Sequence, residues 1–131
     1  MENSNLVFVY GTLMEGFGNN QIIQRHSGLK ICEGTISGTM YNLGYFPGVK
    51  LGGAGLVHGE IWKVNASCMQ SLDALEGEGH LYKRKKVSVT DTEATIEDVW
   101  VYEIMSRQRL QQLVPSGNWR DRDESQESFR L

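Results

Sequence analysis

The hydrophobic positions of this chain fall into short runs, each closed by glycine or by a polar turn, which predicts a protein built mostly of strands. The first run covers residues 6–9 and is followed closely by Gly11. Two longer runs, from about residue 81 to 90 and from about 95 to 104, are joined by a short polar connection typical of a hairpin. The last run is apolar on both faces over most of its length, so we expect it to be central in the sheet.

Two further β-rich stretches lie in the middle of the chain, at residues 31–41 and 56–64. Between them, residues 41–48 carry aromatic side chains interrupted by glycine and proline, and they predict a packed loop. The glycine-rich residues 52–55 predict the most flexible point of the interior. We therefore expect the strand that follows to begin at residue 56.

Helical spacing occurs in two places. Asn65 is a natural N-cap for an amphipathic helix from residue 66 to about 75, which Gly77 ends. A shorter helix is expected over residues 19–26, with Gly28 after it. Together with the strands, these helices predict an α+β fold in which two or three short helices flank one small sheet or barrel.

The length of 131 residues fits a single domain, which we place at residues 1–119, followed by a polar tail at residues 120–131 that we expect to be mobile. With 40% hydrophobic residues the chain can bury a core. A net charge of −3 lacks the basic excess of a general nucleic-acid binder, so no nucleic-acid partner is expected. The basic cluster at residues 83–86 is interpreted as a solvated strand face.

Membrane and disulfide features are not predicted. No apolar stretch is long enough to span a bilayer, and no signal segment precedes residue 6, so we expect a soluble, cytoplasmic protein without a membrane partner. Cys32 and Cys68 lack metal-ligand spacing and are interpreted as small buried hydrophobic residues rather than a disulfide. The oligomeric state is not predictable from these patterns.

The sequence does not match the known nucleotide-binding motifs. Gly11 and Gly16 have the separation found in a phosphate-binding loop, but Phe17 and Gly18 stand where Lys and Ser or Thr are required. The glycines are also mis-spaced for a dinucleotide-binding fold, and no alternation of strands and helices follows them.

The sequence also gives little support for a metal-binding site or for a catalytic nucleophile. The three histidines, His26, His58 and His80, are far apart in the sequence and do not pair with acidic residues or cysteine at recurring ligand spacing. Thr12 is neither N-terminal nor beside an evident base, so it is interpreted as a hydrogen-bonding hydroxyl rather than a nucleophile. No nucleophile elbow is present.

Two features remain as candidate chemistry. Glu76 ends the amphipathic helix before Gly77, where half-burial would raise the pKa of its carboxyl and make it a better general base. The alternative is an exposed glutamate at a helix end. Gly11 follows a buried strand, where the missing Cβ lets the backbone approach a ligand. The alternative is a core strand followed by an ordinary turn.

Several segments gain meaning from their order along the chain. They are Tyr10-Gly11-Thr12-Leu13, residues 41–48, residues 57–62, Leu72-Asp73-x-x-Glu76-Gly77 and Tyr82-x-Arg84. This ordered set resembles the gamma-glutamylcyclotransferase-like superfamily, in particular its small bacterial-type branch and the gamma-glutamylamine cyclotransferase relatives. The resemblance runs from about residue 6 to residue 104, and at its furthest to residue 119.

The resemblance implies a compact barrel of mixed parallel and antiparallel strands, with flanking helices and a cavity at one end. The implied reaction cyclises a γ-glutamyl amine or peptide to 5-oxoproline and frees the amine, with no metal, nucleotide or other cofactor. Glu76 matches the family's catalytic acid/base. The residues that the resemblance places against the substrate are Tyr10, Gly11, Thr12, Leu13 and Tyr82.

The chain also departs from the family pattern. Between Glu76 and Tyr82 it carries a second acid, Glu78, which at the cavity mouth would disfavour anionic leaving groups. Two other classes of function stay open. One is a non-catalytic protein that binds a small metabolite in the same cavity. The other is an interaction protein that uses the basic face at residues 83–86.

Overall fold

The computed structural model describes residues 4–105, 110 and 112–123. Within these ranges the chain forms five strands, two α-helices and one turn of 3-10 helix. The elements are β1 (Ser4–Val9), α1 (Asn20–Arg25), β2 (Leu29–Asn42), β3 (Pro47–Asn65), α2 (Ala66–Glu76), β4 (Tyr82–Thr90), β5 (Thr95–Ile104) and the 3-10 turn Trp119–Asp121.

The strands close into a barrel in the order β1-β3-β2-β4-β5. β1 runs antiparallel to β3, with Phe8 opposite Ile61, and parallel to β5, with Val7 opposite Trp100. The barrel is therefore mixed, because β1 and β5 are parallel whereas all other neighbouring strands are antiparallel. The small mixed barrel with flanking short helices that was expected from the sequence is therefore confirmed.

β3 is much longer than the sequence pattern indicated. It begins at Pro47 and pairs with β2 on both sides of the glycine-rich stretch, since Gly38 lies opposite Leu51 and Ser37 opposite Leu56. Residues 52–55 are thus an insertion within the strand. The expectation that this strand starts at residue 56 was wrong, because a bulge interrupts the pairing register without ending the strand.

The turn between β2 and β3 is also shorter than expected. Residues 41–48 were interpreted as a packed loop, yet Tyr41 pairs with Gly48, and Asn42 with Pro47. Only the residues between Asn42 and Pro47 lie outside the two strands.

The second helix follows its sequence signals closely. The side chain of Asn65 accepts a 2.7 Å hydrogen bond from the backbone N–H of Cys68, which is the predicted N-cap. Gly77 ends the helix in the left-handed conformation, with φ of 60°. Met69 and Leu72 are buried against the barrel. The helix therefore carries Glu76, its last residue, at a fixed position beside the sheet.

The residues after Pro115 pack more tightly than expected. Trp119 is buried, and Arg120 donates a 3.2 Å hydrogen bond to the carboxylate of Glu60. The guanidinium of Arg122 stacks on the Trp119 ring. Residues 120–122 thus depart from the predicted mobile tail, while residues 124–131 lie outside the described ranges.

The remaining expectations concern cysteines and membrane segments. Cys68 is buried, Cys32 is partly buried, and both are free thiols. Among the described residues, no helix has the length and apolar character needed to cross a membrane.

Candidate active site

A cavity of about 330 Å³ opens where β1 ends, between the turn that joins β2 to β3 and the last turn of α2. Most of its wall is apolar or aromatic, formed by Phe8, Val9, Leu13, Tyr45, Phe46, Pro47, Leu75 and Leu81. The rest of its wall consists of Tyr10, Gly11, Thr12, Asn19, Glu76, Tyr82 and Tyr102. The structure therefore brings all six residues singled out from the sequence, Glu76 among them, to one cavity.

The loop that follows β1 presents backbone donors. A turn is closed by the 3.0 Å hydrogen bond from the backbone N–H of Met14 to the carbonyl of Gly11. The backbone N–H groups of Gly11, Thr12 and Leu13 donate to no acceptor within the described part of the chain. Successive N–H groups in such a turn suit an anion, whether a carboxylate or a developing oxyanion.

Two asparagines at the start of α1 hold this loop by hydrogen bonds. The amide of Asn19 donates a 2.9 Å hydrogen bond to the hydroxyl oxygen of Thr12, and the amide of Asn20 donates a 2.7 Å hydrogen bond to the carbonyl of Leu13. Because the Thr12 oxygen is an acceptor here, its own proton remains available to a ligand. This geometry agrees with the interpretation of Thr12 as a hydrogen-bonding group.

Gly11 is required for a reason that the sequence did not reveal. A Cβ at this position would lie 2.4 Å from Cγ and 2.6 Å from Cδ of Pro47. The missing side chain therefore lets the loop pack against the proline ring as well as face the cavity. The sequence argument considered only the approach of a ligand.

Glu76 is the candidate acid/base. It stands at the junction between α2 and the left-handed Gly77, and it is largely shielded from solvent. Burial raises the pKa of its carboxyl from an ordinary 4.5 to about 7. Among the described residues, none forms a hydrogen bond or an ion pair with this carboxyl. The group is thus poised to gain or lose a proton near neutral pH.

Glu60, whose side chain is buried, has many polar partners where Glu76 has none among the described residues. It accepts hydrogen bonds from the backbone N–H of Glu15 at 2.9 Å and from the Trp62 indole at 3.0 Å. It also pairs with Arg120 at 3.2 Å and with Lys30 at 3.6 Å. Through these contacts Glu60 ties β3 to three other segments, which is a structural role. Glu76, in contrast, has no such partner within the described part of the chain.

Three phenols surround the Glu76 side of the cavity. Tyr82 donates to the carbonyl of Pro47, and Tyr10 donates to the carbonyl of Tyr102. Burial, together with the nearby Tyr82 and Glu76, holds the pKa of Tyr10 well above its ordinary value. Tyr10 therefore stays protonated, and the hydroxyls of Tyr10 and Tyr82 are hydrogen-bond donors held in fixed positions.

Tyr102 connects the cavity to helix α2. Its hydroxyl donates a 2.7 Å hydrogen bond to Asp73, whose same oxygen lies 3.2 Å from Nε of Arg84. Asp73 stands one helical turn before Glu76, so this clamp fixes the end of α2 against β4 and β5. Arg84 had been interpreted as part of a solvated basic face, and this ion pair corrects that interpretation for Arg84.

We expect the clamp to be energetically coupled. In a double-mutant cycle of Asp73→Ala and Tyr102→Phe, the two losses in unfolding free energy should differ from additivity by about 0.5–1.5 kcal/mol, because either change alone removes the same hydrogen bond. Urea denaturation of the parent, the two single variants and the double variant measures this term. Strict additivity would contradict the clamp.

Glu78 does not lie where the sequence suggested. It is absent from the cavity wall, and its carboxylate instead accepts a 3.2 Å hydrogen bond from the backbone N–H of Arg84. The hypothesis that Glu78 repels anionic leaving groups at the mouth therefore loses its basis. Its role is to fasten the short connection between α2 and β4.

Several wall residues were not predicted from the sequence as site residues. Tyr102 lies far from Glu76 along the chain, and its inward direction follows from strand register alone. Asn19 was predicted only as the start of the short helix over residues 19–26; its side chain makes no capping hydrogen bond and instead donates to Thr12. Within the described residues, no group of three or more His, Cys, Asp or Glu side chains is arranged to hold a metal ion.

The barrel fold is shared with proteins of known structure. An AIG2-like protein from Mus musculus has the same fold, with a TM-score of 0.74, 25% identity, and 84% of each chain covered. The class is therefore that of gamma-glutamylcyclotransferase-like barrel proteins. The family model described as "Gamma-glutamyl cyclotransferase, AIG2-like" matches residues 7–121, and the chain belongs to that family.

Relatives of similar length support this assignment. A Vibrio cholerae relative is 34% identical over 115 residues, which cover 88% of this chain and 95% of that protein. The gamma-glutamylcyclotransferase family protein YtfP of Citrobacter rodentium is 33% identical over 119 residues, which cover 90% of this chain and 97% of that protein. Both matches extend over nearly the whole of the aligned proteins.

Proposed function

We propose that this protein cyclises a γ-glutamyl amide to 5-oxoproline and releases the free amine, with Glu76 as general acid/base. The observation that carries the proposal is the shielded carboxyl of Glu76, which has no hydrogen-bond or ion-pair partner among the described residues and whose pKa burial raises to about 7. Glu76 lines the same cavity as the loop after β1, whose backbone N–H groups are free among the described residues. Family membership supports the same chemistry.

The reaction balances without water or a cofactor. The α-nitrogen of the substrate attacks its own γ-carbonyl carbon, so a ring C–N bond forms and the bond from that carbon to the amine nitrogen breaks. Two protons pass from the α-nitrogen, which enters as ammonium, to the leaving nitrogen, which departs as ammonium. Because the attack is intramolecular, holding the substrate in a folded conformation supplies much of the rate enhancement.

Glu76 carries these protons in our account. As a carboxylate it takes a proton from the α-ammonium, which is not nucleophilic until it is deprotonated. As a carboxylic acid it returns that proton to the departing amine, and it repeats the exchange with the ring nitrogen. A pKa near neutrality suits both directions of transfer.

The loop after β1 holds the substrate. Backbone N–H groups of Gly11, Thr12 and Leu13 bind the α-carboxylate or the oxyanion of the tetrahedral intermediate. The hydroxyl of Thr12, whose oxygen is occupied by Asn19, donates its proton to the same end of the substrate. The aromatic wall keeps bulk water away from the carbonyl carbon, which favours ring closure over hydrolysis.

A panel of γ-glutamyl amines and peptides, screened by mass spectrometry for 5-oxoproline, tests the proposal. Release of 5-oxoproline with an equal amount of amine is the expected result. Thermal stabilisation by panel members without any product would instead indicate a non-catalytic metabolite-binding protein.

The pKa of Glu76 can be read directly. We expect the carboxyl carbon of Glu76 to titrate with a midpoint near pH 7 in 13C NMR of protein labelled at glutamate, because burial disfavours the anion. The Glu76→Gln variant, which lacks this signal, assigns it. A midpoint near 4.5 would remove the argument that Glu76 can act as a base poised at neutral pH.

A further inference from the structure

The loop that follows β1 continues beyond the cavity wall. Residues 11–13 line the cavity, and the chain then makes a second turn, in which the backbone N–H of Phe17 donates a 3.1 Å hydrogen bond to the carbonyl of Met14. This turn follows directly on the first, which is closed by the hydrogen bond from Met14 to Gly11. Because each turn is closed by its own hydrogen bond, a shift of Glu15 in the second turn is transmitted to residues 11–13.

Arg120 and Glu60 together hold the main chain of Glu15. The carboxylate of Glu60 accepts a 2.9 Å hydrogen bond from the backbone N–H of Glu15. Nη2 of Arg120 donates to the carbonyl of Glu15 at 2.7 Å and to the carboxylate of Glu60 at 3.2 Å. One ion pair, whose carboxylate side chain is only 3% exposed, therefore binds both polar groups of the Glu15 main chain. Hydrogen bonds to charged groups are roughly twice as strong as those between neutral groups.

The segment that carries Arg120 is anchored on the barrel. Trp119 is buried, and the side chain of Asn118 accepts a 3.0 Å hydrogen bond from the backbone N–H of Arg120. The carbonyl of Gly117 accepts a 2.8 Å hydrogen bond from the backbone N–H of His58, which lies in β3. The base of the Arg120 side chain is thus fixed to the barrel, and its guanidinium joins the barrel to the loop.

From these contacts we infer that Arg120 is a positioning residue for the proposed reaction. By fixing Glu15, it keeps the backbone N–H groups of residues 11–13 in the direction that the substrate requires. This inference rests on the proposed function and adds a residue to it. Arg120 lies outside the wall of the cavity, so it acts through the loop and does not contact the substrate.

We expect Arg120→Gln to lower kcat/KM for 5-oxoproline release by at least about tenfold, because a displacement of about 1 Å in such a site lowers activity by as much as about 10²-fold. Lys30→Gln is the control. Lys30 also pairs with Glu60, at 3.6 Å, and its contact with Glu15 is to the side-chain carboxylate, at 3.3 Å. This control should keep kcat/KM within about threefold of the parent, because the main chain of Glu15 stays held.

A double variant separates positioning from stability. Arg120→Gln leaves the buried carboxylate of Glu60 without its Arg120 partner, which lowers stability. Glu60→Gln/Arg120→Gln removes that buried charge, while the introduced amide oxygen can still accept from the backbone N–H of Glu15. We expect its urea midpoint to exceed that of Arg120→Gln and its kcat/KM to stay equally low, because the carbonyl of Glu15 is still not held. The double variant also supplies the test if Arg120→Gln alone does not fold.

The position of the loop can also be followed without turnover. In 1H–15N NMR spectra of the ligand-free protein, the amide signals of residues 11–13 should move in Arg120→Gln and in the double variant. In Arg120→Lys they should return towards their positions in the parent, because the ammonium keeps a charged donor beside Glu60. Lys30→Gln should leave these signals in place.

The results that contradict the inference differ from those that contradict the proposed function. Activity that recovers together with stability in the double variant would show that Arg120 is structural only. Unmoved signals of residues 11–13, unimpaired turnover by Arg120→Gln, or equal losses in Arg120→Gln and Lys30→Gln would also overturn the inference, while the proposed function stands. Failure of the parent to release 5-oxoproline from every γ-glutamyl compound overturns the proposed function, and the positioning role falls with it.

Discussion

We expect Glu76→Gln to lower 5-oxoproline release by at least about 10²-fold, since positioned acid/base groups contribute on this scale. Glutamine fills the same space, but it can neither take the proton from the α-ammonium nor return one to the leaving amine. Because the reaction needs both transfers, the loss should appear in kcat, with little change in KM.

The same variant should be more stable than the parent above neutral pH. In the parent, the folded state keeps the Glu76 proton up to about pH 7, whereas the unfolded chain loses it near 4.5. The free energy of unfolding therefore falls as the pH rises through that window, by roughly 3 kcal/mol at most. Glu76→Gln removes this fall, so the two proteins should be equally stable at pH 4 and should diverge above it.

Glu78→Gln is the matched control, because Glu78 is close in sequence but outside the cavity wall. It should retain activity within about threefold of the parent, since the Glu78 carboxylate does not contact the substrate and so cannot bind the transition state more tightly than the ground state. Steady-state kinetics and urea denaturation at pH 4, 6 and 8 measure both effects. Unimpaired release by Glu76→Gln would exclude Glu76 from the mechanism.

Gly11→Ala is the second change with a large expected effect. The added Cβ would lie 2.4 Å from Cγ of Pro47, so the loop and the proline ring must separate. Overpacking of this kind lowers stability by about 1–3 kcal/mol. The loop also aims the backbone donors at the substrate, and a displacement of about 1 Å in such a site lowers activity by as much as about 10²-fold.

Gly18→Ala provides the comparison for Gly11→Ala. Nothing lies within 4 Å of a Cβ at Gly18, so this change should leave both stability and activity close to those of the parent. Urea midpoints and kcat/KM of the two variants give the contrast. Equal behaviour of both alanine variants would show that the contact between Gly11 and Pro47 does not position the loop.

Local signals predicted the parts of the fold that depend on neighbouring residues. The hairpin of β4 and β5 and the Asn65 cap of α2 follow from turn and capping chemistry, and both are confirmed. The start of β3 was wrong because glycines that form a bulge and glycines that end a strand look alike without knowledge of the partner strand.

In the candidate site, too, the residues that could be predicted are those whose position depends on their neighbours in sequence. Glu76 could be found from its place between an amphipathic helix and Gly77, and its burial agrees with that prediction. Tyr102 and Asn19 could not be found, because their places in the cavity depend on barrel closure and on packing between distant segments. Glu76 also differs from Glu60 in having no partner among the described residues, and this difference is likewise visible only in three dimensions.

Turnover in water enriched in oxygen-18 tests the central claim most directly. An intramolecular cyclisation gives 5-oxoproline that contains no label, together with one equivalent of amine and no glutamate. This is the result we predict, read by mass spectrometry, for every γ-glutamyl compound of the panel that the protein turns over. Glutamate that carries one oxygen-18, which is the product of hydrolysis, would contradict the account.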